Sequence, residues 1–327
     1  MGEFDLIRRY FARPGTHAPG VAVGIGDDCA VLQPTPGMQL CVSSDMLVEG
    51  RHFLSTVNPS CLGHKALAVN LSDLAACGAR PLGFTLALSL PSADEAWLAG
   101  FAQGLFALAD AHACPLVGGD TTRGPLNICI TIFGEVPAGT ALLRSGAKAG
   151  DELWVSGTVG DARLALEAFR GTLSLSPEAF DAARARMEQP TPRVALGQAL
   201  RGVASSAIDI SDGLLGDLGH VLQASGVGAN IDTHKSMTLI AIKPIQICRK
   251  GIFESENLLD YVLAGGDDYE LAFTAPAAQH AAVLAAGKAS STPVTQIGRI
   301  TTESGVRLLD ASGQALPNRY TSFDHFA

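Results

Sequence analysis

Four stretches of this sequence set carboxylates beside glycine at the end of an apolar run. They are Gly24-Ile25-Gly26-Asp27-Asp28, Leu116-Val117-Gly118-Gly119-Asp120-Thr121-Thr122, Ala207-Ile208-Asp209-Ile210-Ser211-Asp212-Gly213 and Val262-Leu263-Ala264-Gly265-Gly266-Asp267-Asp268-Tyr269-Glu270. Each predicts a buried strand, a tight turn, and acids where the backbone emerges. Glycine there permits positive φ and lets a ligand approach the main chain. Ser43-Ser44-Asp45 closes another short apolar run, and Asp73 follows Asn70 by three residues in an Ala-rich stretch. Acids gathered in this way repel one another and lose solvation unless cations neutralise them. Few basic residues lie near them in sequence, and Ser/Thr hydroxyls stand beside several. This oxygen-ligand set suits hard divalent cations, above all Mg2+, which keeps waters and takes further ligands from phosphate. Taken singly, each acid reads as a turn residue or a helix cap; the repetition points to metal and phosphate.

Other phosphate and metal motifs fail. There is no G-x-x-x-x-G-K-[ST], so a P-loop is excluded. Asp209 to Gly213 opens like a calcium loop, but its glycine comes one place early and the twelfth position is His220, not Glu. Gly24-Ile25-Gly26 has no third glycine at Cys29, so the dinucleotide fingerprint fails too. No G-x-S-x-G is present.

The elements that must position these acids follow from periodicity and punctuation. Phe4, Ile7 and Phe11 predict a short amphipathic helix ending by Pro14. Strands are expected near 21–28, 39–43, 84–90, 116–120 and 126–136. Helices are expected over 64–79, closed by Gly78 and Pro81, and over 96–111, opened by the capping box Ser92-Ala93-Asp94-Glu95. Pro137-Ala138-Gly139 predicts a domain boundary, giving an N-terminal metal- and ATP-binding domain over 1–138 and a C-terminal α/β domain over 139–327. In the second half, strands are expected at 153–156, 206–210, 269–274, 294–300 and 306–309. Helices are expected at 160–169, 177–188, 193–203, 213–224 and 277–287; residues 235–257 are ambiguous. Strands alternate with helices in both halves, which predicts an α/β (α+β) architecture of mixed sheets flanked by helices.

Composition bounds the function. The 327 residues suggest about two domains. An apolar share of 47% with 17% charged residues describes a globular chain and not a disordered one. A net charge of −9 argues against a nucleic-acid partner, since no basic stripe meets phosphate. No apolar run approaches the roughly 20 residues of a membrane span. The charged start Gly2-Glu3-Phe4-Asp5 predicts no secretory segment. The 7 cysteines are scattered without a C-x-x-C pair, which suggests reduced thiols in a cytoplasm, packed as small core residues.

The motifs G-I-G-D-D-C-A at 24–30, S-S-D at 43–45, H-F at 52–53, K-A-L-A-V-N-L-S-D-L-A-A at 65–76, G-G-D-T-T-R-G at 118–124, R-S-G-A-K at 144–148, A-I-D-I-S-D-G-L at 207–214 and G-G-D-D-Y-E-L at 265–271 together resemble the thiamine-monophosphate kinase family. That family lies within the aminoimidazole ribonucleotide synthetase-like superfamily, and the resemblance runs over nearly the whole chain. It implies the two-domain fold of that superfamily. It also implies transfer of the γ-phosphoryl of ATP onto thiamine monophosphate to give thiamine diphosphate, with several Mg2+ ions. The metal ligands it implies are Asp28, Ser43, Ser44, Asp45, Asp73, Asp120, Asp209 and Asp212. The nucleotide contacts are Gly119, Asp120, Arg144 and Ser211, and the substrate contacts are His52, Asp267 and Phe323. Asp45, Asp120 and Arg144 are the residues it assigns to catalysis. A homodimer with N-terminal strands pairing across a two-fold axis is implied as well.

The sequence departs from the family at two places. Asp267 stands where Glu is common, one methylene shorter. Ser44 stands where Thr is common, and the hydroxyl survives. Two other readings are another ATP-dependent enzyme of the superfamily and a non-catalytic Mg-ATP-binding sensor. Selenophosphate synthetases need a reactive Cys or selenocysteine near the N-terminus, whereas the first Cys here is Cys29 inside the turn. Hydrogenase-maturation members need a C-terminal Cys, and this sequence ends His325-Phe326-Ala327.

Overall fold

The computed structural model describes residues 2–13, 19–242, 247–248 and 255–320. The chain divides into two compact units, Met1–Leu74 with Ala79–Thr140 and Ala75–Gly78 with Ala141–Ala327.

The first unit opens on α1 (Glu3–Leu6), which runs on as a π-turn over Ile7–Phe11, and on a two-stranded hairpin of β1 (Val21–Val23) and β2 (Val31–Leu32). β3 (Met38–Val48), α2 (Pro59–Ala76), β4 (Arg80–Leu90), α3 (Glu95–Ala111), β5 (Leu116–Arg123) and β6 (Asn127–Pro137) complete it. The sheet order is β3-β6-β4-β5, with β4 and β5 parallel and the other pairs antiparallel. Ile128, Ile130 and Ile132 of β6 are buried with Phe84, Leu86 and Leu88 of β4, and the pairing sets them side by side on one face. α2 is apolar around most of its girth, so it is enclosed: Leu62, Leu67, Ala68, Leu71 and Leu74 are all at most 1% exposed. α3 buries Leu98, Phe101, Leu105 and Leu108 at helical spacing, and Trp97 stacks on Phe101. Buried Glu135 accepts from the Thr35 N–H at 2.8 Å, from Thr35 Oγ1 at 2.9 Å and from Arg80, fastening the start of β3 to β6. Burial pushes its carboxyl up, but these donors and the Arg80 charge outweigh that and hold it below the usual range.

The second unit contains β7 (Glu152–Ser156), α4 (Asp161–Phe169), β8 (Ser174–Leu175), α5 (Pro177–Glu188), α6 (Val194–Ala199), β9 (Ser206–Asp209), α7 (Leu214–Ser225), β10 (Gly228–Asp232), α8 (Thr233–Ser236), β11 (Ile247–Cys248), α9 (Ser255–Ala264), β12 (Leu271–Ala275), α10 (His280–Ala289), β13 (Val294–Thr301), β14 (Gly305–Leu309) and β15 (Ala315–Leu316). Its main sheet has seven strands in the order β15-β14-β10-β13-β7-β12-β9. Strands β7, β9 and β12 are buried along their whole length, as expected of strands covered on both faces. The core holds Leu153, Val155, Ile208, Leu218, Val262 and Ile297.

Several expectations need correction. α1 does not bury Phe4, which is 72% exposed; the π-turn instead brings Leu6 and Phe11, five residues apart, onto the buried side. The capping residue of α3 is Asp94, whose carboxylate accepts from the Ala96 and Trp97 N–H groups at 2.8 and 3.0 Å, not Ser92. The first Gly-acid stretch is not a buried strand: Val23 and Ile25 are 37% and 38% exposed. β5 does not end at Asp120 but runs through it to Arg123. All six described cysteines are free thiols, and of these Cys114 alone is buried. The strands β8, β10 and β11 have no counterpart in the sequence reading.

Candidate functional site

In the first unit the acids fall on two sides of a single sheet. Asp120 on β5 is level with Ala87 of β4, and the neighbouring ladder position pairs Gly119 with Leu86. Gly119 has φ +149°, and a Cβ there would lie 2.0 Å from the Leu86 carbonyl oxygen, so only glycine lets β5 pass this close to β4. The β1–β2 hairpin brings Asp27 and Asp28 to the same place. A groove of about 970 Å³ is lined by Ile25–Asp28, Gly118–Asp120 and the Phe4, Ile7 and Phe11 side of the N-terminal turn. Asp28 and Asp120, 92 residues apart in sequence, therefore face one cavity. The Asp28 N–H donates to Asp27 Oδ1 at 2.9 Å, which shapes the turn that presents it.

The second set lies where β3 meets α2. Asn70 is 1% exposed, donates to the Ala66 carbonyl at 3.1 Å and accepts the Asp45 N–H at 3.2 Å. One turn on, Asp73 accepts a short hydrogen bond from Ser43 Oγ. The helical spacing of Asn70 and Asp73 thus docks α2 onto the strand that carries Ser43 and Asp45. Ser44 points to the opposite face of β3, where its hydroxyl meets Thr131 Oγ1 at 3.0 Å and the Ile130 carbonyl at 3.1 Å. His52 follows β3; its Nδ1 accepts the Val48 N–H at 3.0 Å, so the neutral ring carries its proton on Nε2.

In the second unit, two Gly-acid stretches are laid against each other. β9 and β12 pair Asp209 with Leu271. Beyond that pair, the Ile210 N–H donates to the Glu270 carbonyl at 2.8 Å, Tyr269 N–H to the Ile210 carbonyl at 2.8 Å, and Asp267 N–H to the Ser211 carbonyl at 2.7 Å. Gly266 is required by this approach, since a Cβ would stand 2.7 Å from the Ser211 carbonyl oxygen. Asp209, Ser211, Asp212 and Asp267 are therefore brought together. Behind them Asp217, in the first turn of α7, accepts the Ser211 and Asp212 N–H groups on Oδ2, each at 3.0 Å. Burial pushes the Asp217 carboxyl up to about 7, against the pull of these backbone donors. The Arg144 loop is tied to the end of α7: Ser225 Oγ accepts the Gly146 and Ala147 N–H groups at 3.1 Å and donates to the Arg144 carbonyl at 3.2 Å. Phe323 lies outside the described residues.

The sequence reading counted Asp268 among the acids of a Gly-acid stretch without a role of its own, and it missed Asp217 and the pairing of Arg186 with Glu270. Asp217 had a visible signal, an acid in the first turn of a helix that opens on a Gly-acid stretch. Glu270 had one as well, an acid at the head of an otherwise apolar strand. Arg186 sits in an ordinary amphipathic helix and gave none.

The donor chemistry can be compared with that of a metal. Among the described residues, no group of three or more His, Cys, Asp or Glu side chains is placed to hold a metal ion by itself. The groups present are mainly carboxylates and hydroxyls, a few on each element. Such partial oxygen shells fit Mg2+, which dehydrates reluctantly and takes one or two carboxylates plus phosphate oxygens. They do not fit zinc.

Comparison with known proteins identifies the family. Residues 26–136 match the N-terminal domain of AIR synthase related proteins, and residues 148–310 match the C-terminal domain. The chain is 45% identical over 328 aligned residues to the thiamine-monophosphate kinase of Escherichia coli K12, covering 100% of this chain and 98% of that one. Among solved structures it is similar to the thiamine-monophosphate kinase of Stenotrophomonas maltophilia K279a, with TM-score 0.81 and 45% identity over 91% of this chain and 92% of the other. It is also similar to AaThiL complexed with AMPPCP and TMP, with TM-score 0.76 and 30% identity over 90% and 89% of the two chains.

Proposed function

Since the chain belongs to the thiamine-monophosphate kinase family, we propose that it transfers the γ-phosphoryl group of ATP to thiamine monophosphate, giving thiamine diphosphate and ADP. The observation that carries this is full-length identity of 45% combined with a groove in which Gly119, Asp120 and Asp28 stand together. In the step proposed, a phosphate oxygen of thiamine monophosphate bonds to the γ-phosphorus as the bond to the β,γ-bridging oxygen breaks. The second pKa of a phosphate monoester is about 6, so the nucleophile is already anionic at neutral pH and no general base is needed.

The chain's own residues then bind, orient and balance charge. Asp28 and Asp120 at the groove and, on the other side of the sheet, Ser43, Asp45 and Asp73 would hold Mg2+ as separate groups; Ser44 on the opposite face of β3 and, within the second unit, Asp209 and Asp212 are the remaining proposed ligands. When bound, the metal screens the repulsion between two phosphorylated molecules and orients them for in-line attack. The Gly119 peptide admits the nucleotide close to the main chain. Asp217 holds the Ser211 and Asp212 N–H groups and so fixes the backbone that carries the proposed nucleotide contact and metal ligand. Arg144 stabilises charge on the transferring group. His52, with its proton fixed on Nε2, donates to the substrate; Asp267 accepts from it, and Phe323 stacks on a thiamine ring. Asp45, Asp120 and Arg144 are the catalytic residues in this reading.

We assign the metal and ATP site to residues 1–138 and read 139–327 as a C-terminal α/β domain that carries Arg144, Ser211 and Asp267. A homodimer is supported by β3, an edge strand of 11 residues whose Leu40, Val42 and Met46 are 46%, 57% and 54% exposed on one face. The cytoplasm is supported by the free thiols. No helix among the described residues is long and apolar enough to cross a membrane.

The test is direct. Purified protein with Mg-ATP and thiamine monophosphate releases ADP and forms thiamine diphosphate; with free thiamine it releases none. ADP release with thiamine alone, or with neither, overturns the assignment. ATP binding without turnover would favour the sensor reading.

A further inference from the structure

The turn that presents Asp267 is strained, and the second unit holds it from behind with buried charge. Asp267 and Tyr269 both take left-handed backbone, φ 66° and 52°, a conformation that disfavours residues with a Cβ and persists only where the surroundings over-determine it. In front, the Asp267 and Tyr269 N–H groups are bonded to the Ser211 and Ile210 carbonyls. Behind, Glu270 is 0% exposed and accepts from Ser156 Oγ at 2.6 Å, Arg186 Nη2 at 2.7 Å, Arg193 Nε at 2.6 Å and Arg193 Nη2 at 2.5 Å. Two arginines therefore meet this one carboxylate. Their contacts differ. Arg193 meets Glu270 and not the peptide carbonyl of Asp268. Arg186 Nη2 meets both, lying 3.3 Å from the Asp268 oxygen as well as 2.7 Å from Glu270. It also reaches the Thr158 carbonyl at 3.5 Å. Asp268 contributes a further tether through Oδ1, which accepts the Gly160 N–H at 2.9 Å.

We propose that Arg186 is a positioning residue for Asp267: by bridging Glu270 and the Asp268 carbonyl it fixes the left-handed turn that aims the Asp267 carboxylate. The proposal rests on reading Asp267 as a substrate contact. In this reading Arg186 acts through the turn, by its contacts with Glu270 and the Asp268 carbonyl, and not on the substrate itself. It acts on the peptide between the two left-handed residues, the place where a change in ψ would swing the Asp267 side chain. Misplacement of a positioned group by about 1 Å is enough to weaken its interaction severely.

Removing the guanidinium outright would leave Glu270 with one partner fewer in a buried site, and such a variant risks misfolding. Arg186→Lys keeps the charge but a single ammonium replaces the fork, and Arg193→Lys is the matched control. The first measurement is amide exchange of Asp267 and Tyr269 in the ligand-free protein. Arg186→Lys should speed it roughly tenfold, and Arg193→Lys should leave it within about twofold. The second is steady-state kinetics. Arg186→Lys should raise KM for thiamine monophosphate about tenfold with KM for ATP within about twofold, and Arg193→Lys should move neither. Equal exchange in the two variants, or an equal rise in both KM values, overturns the proposal. If the wild-type protein does not turn over thiamine monophosphate, the kinase reading fails, and the exchange measurement still decides whether Arg186 fixes the turn.

Discussion

Asp268 shows how one residue of a motif serves a purpose different from its neighbour's. It is 1% exposed, and its Oδ2 meets no hydrogen-bond partner among the described residues. Burial pushes its carboxyl well above the usual range, only partly offset by the Gly160 N–H and the Arg186 charge. A carboxyl whose folded-state pKa is raised stabilises the fold fully only below its unfolded value, about 3.9. That contribution disappears as pH rises through the raised folded value. The melting temperature should therefore decline as pH rises above about 4, and Asp268→Asn, which cannot ionise, should flatten that decline. Thermal melts of both proteins from about pH 5 to about pH 9 test this. Parallel curves would show that the folded protein does not hold this carboxyl above its unfolded value.

Among the elements, the closely paired strands β4 and β5 set the geometry of the groove. Gly119→Ala would place a methyl 2.0 Å from the Leu86 carbonyl, against backbone that cannot give way. The variant should lose at least about 2 kcal/mol of stability and most ATP affinity, measured by denaturant unfolding and nucleotide titration. Near-native values for both would mean that the ladder relaxes at this point. Elements with strong periodicity were legible in the sequence: β4, β6, α3, α5 and β13 all fall close to their expected places. The acids were legible as a class because glycine and carboxylate recur together, and the pairing of the 209–213 and 265–270 stretches then follows from adjacent strands. Three kinds of feature were not. The two-residue strands β8 and β11 are too short to carry a period. The π-turn changes which apolar residues face inward without changing their identity. The Arg186–Glu270 contact spans 84 residues, and nothing local marks either partner for the other.

For the molecule as a whole, the open face of β3 carries the quaternary prediction. Leu40, Val42 and Met46 alternate on one side of an unpaired edge, and three large apolar side chains exposed in a row mark a contact surface. In sedimentation or light scattering the protein should have twice the chain mass. Val42→Lys combined with Met46→Lys should shift it to the monomer while leaving far-UV circular dichroism unchanged. A double variant that stays dimeric would place the interface elsewhere.

Asp267 combines a left-handed backbone with the shorter of the two acidic side chains. Aspartate tolerates that conformation several-fold better than most residues, whereas glutamate has no such ease. Asp267→Glu would add a methylene of reach at the expense of backbone comfort. If Asp267 meets the substrate as proposed, that replacement exchanges relaxation of the main chain for longer reach, and it is not a neutral swap.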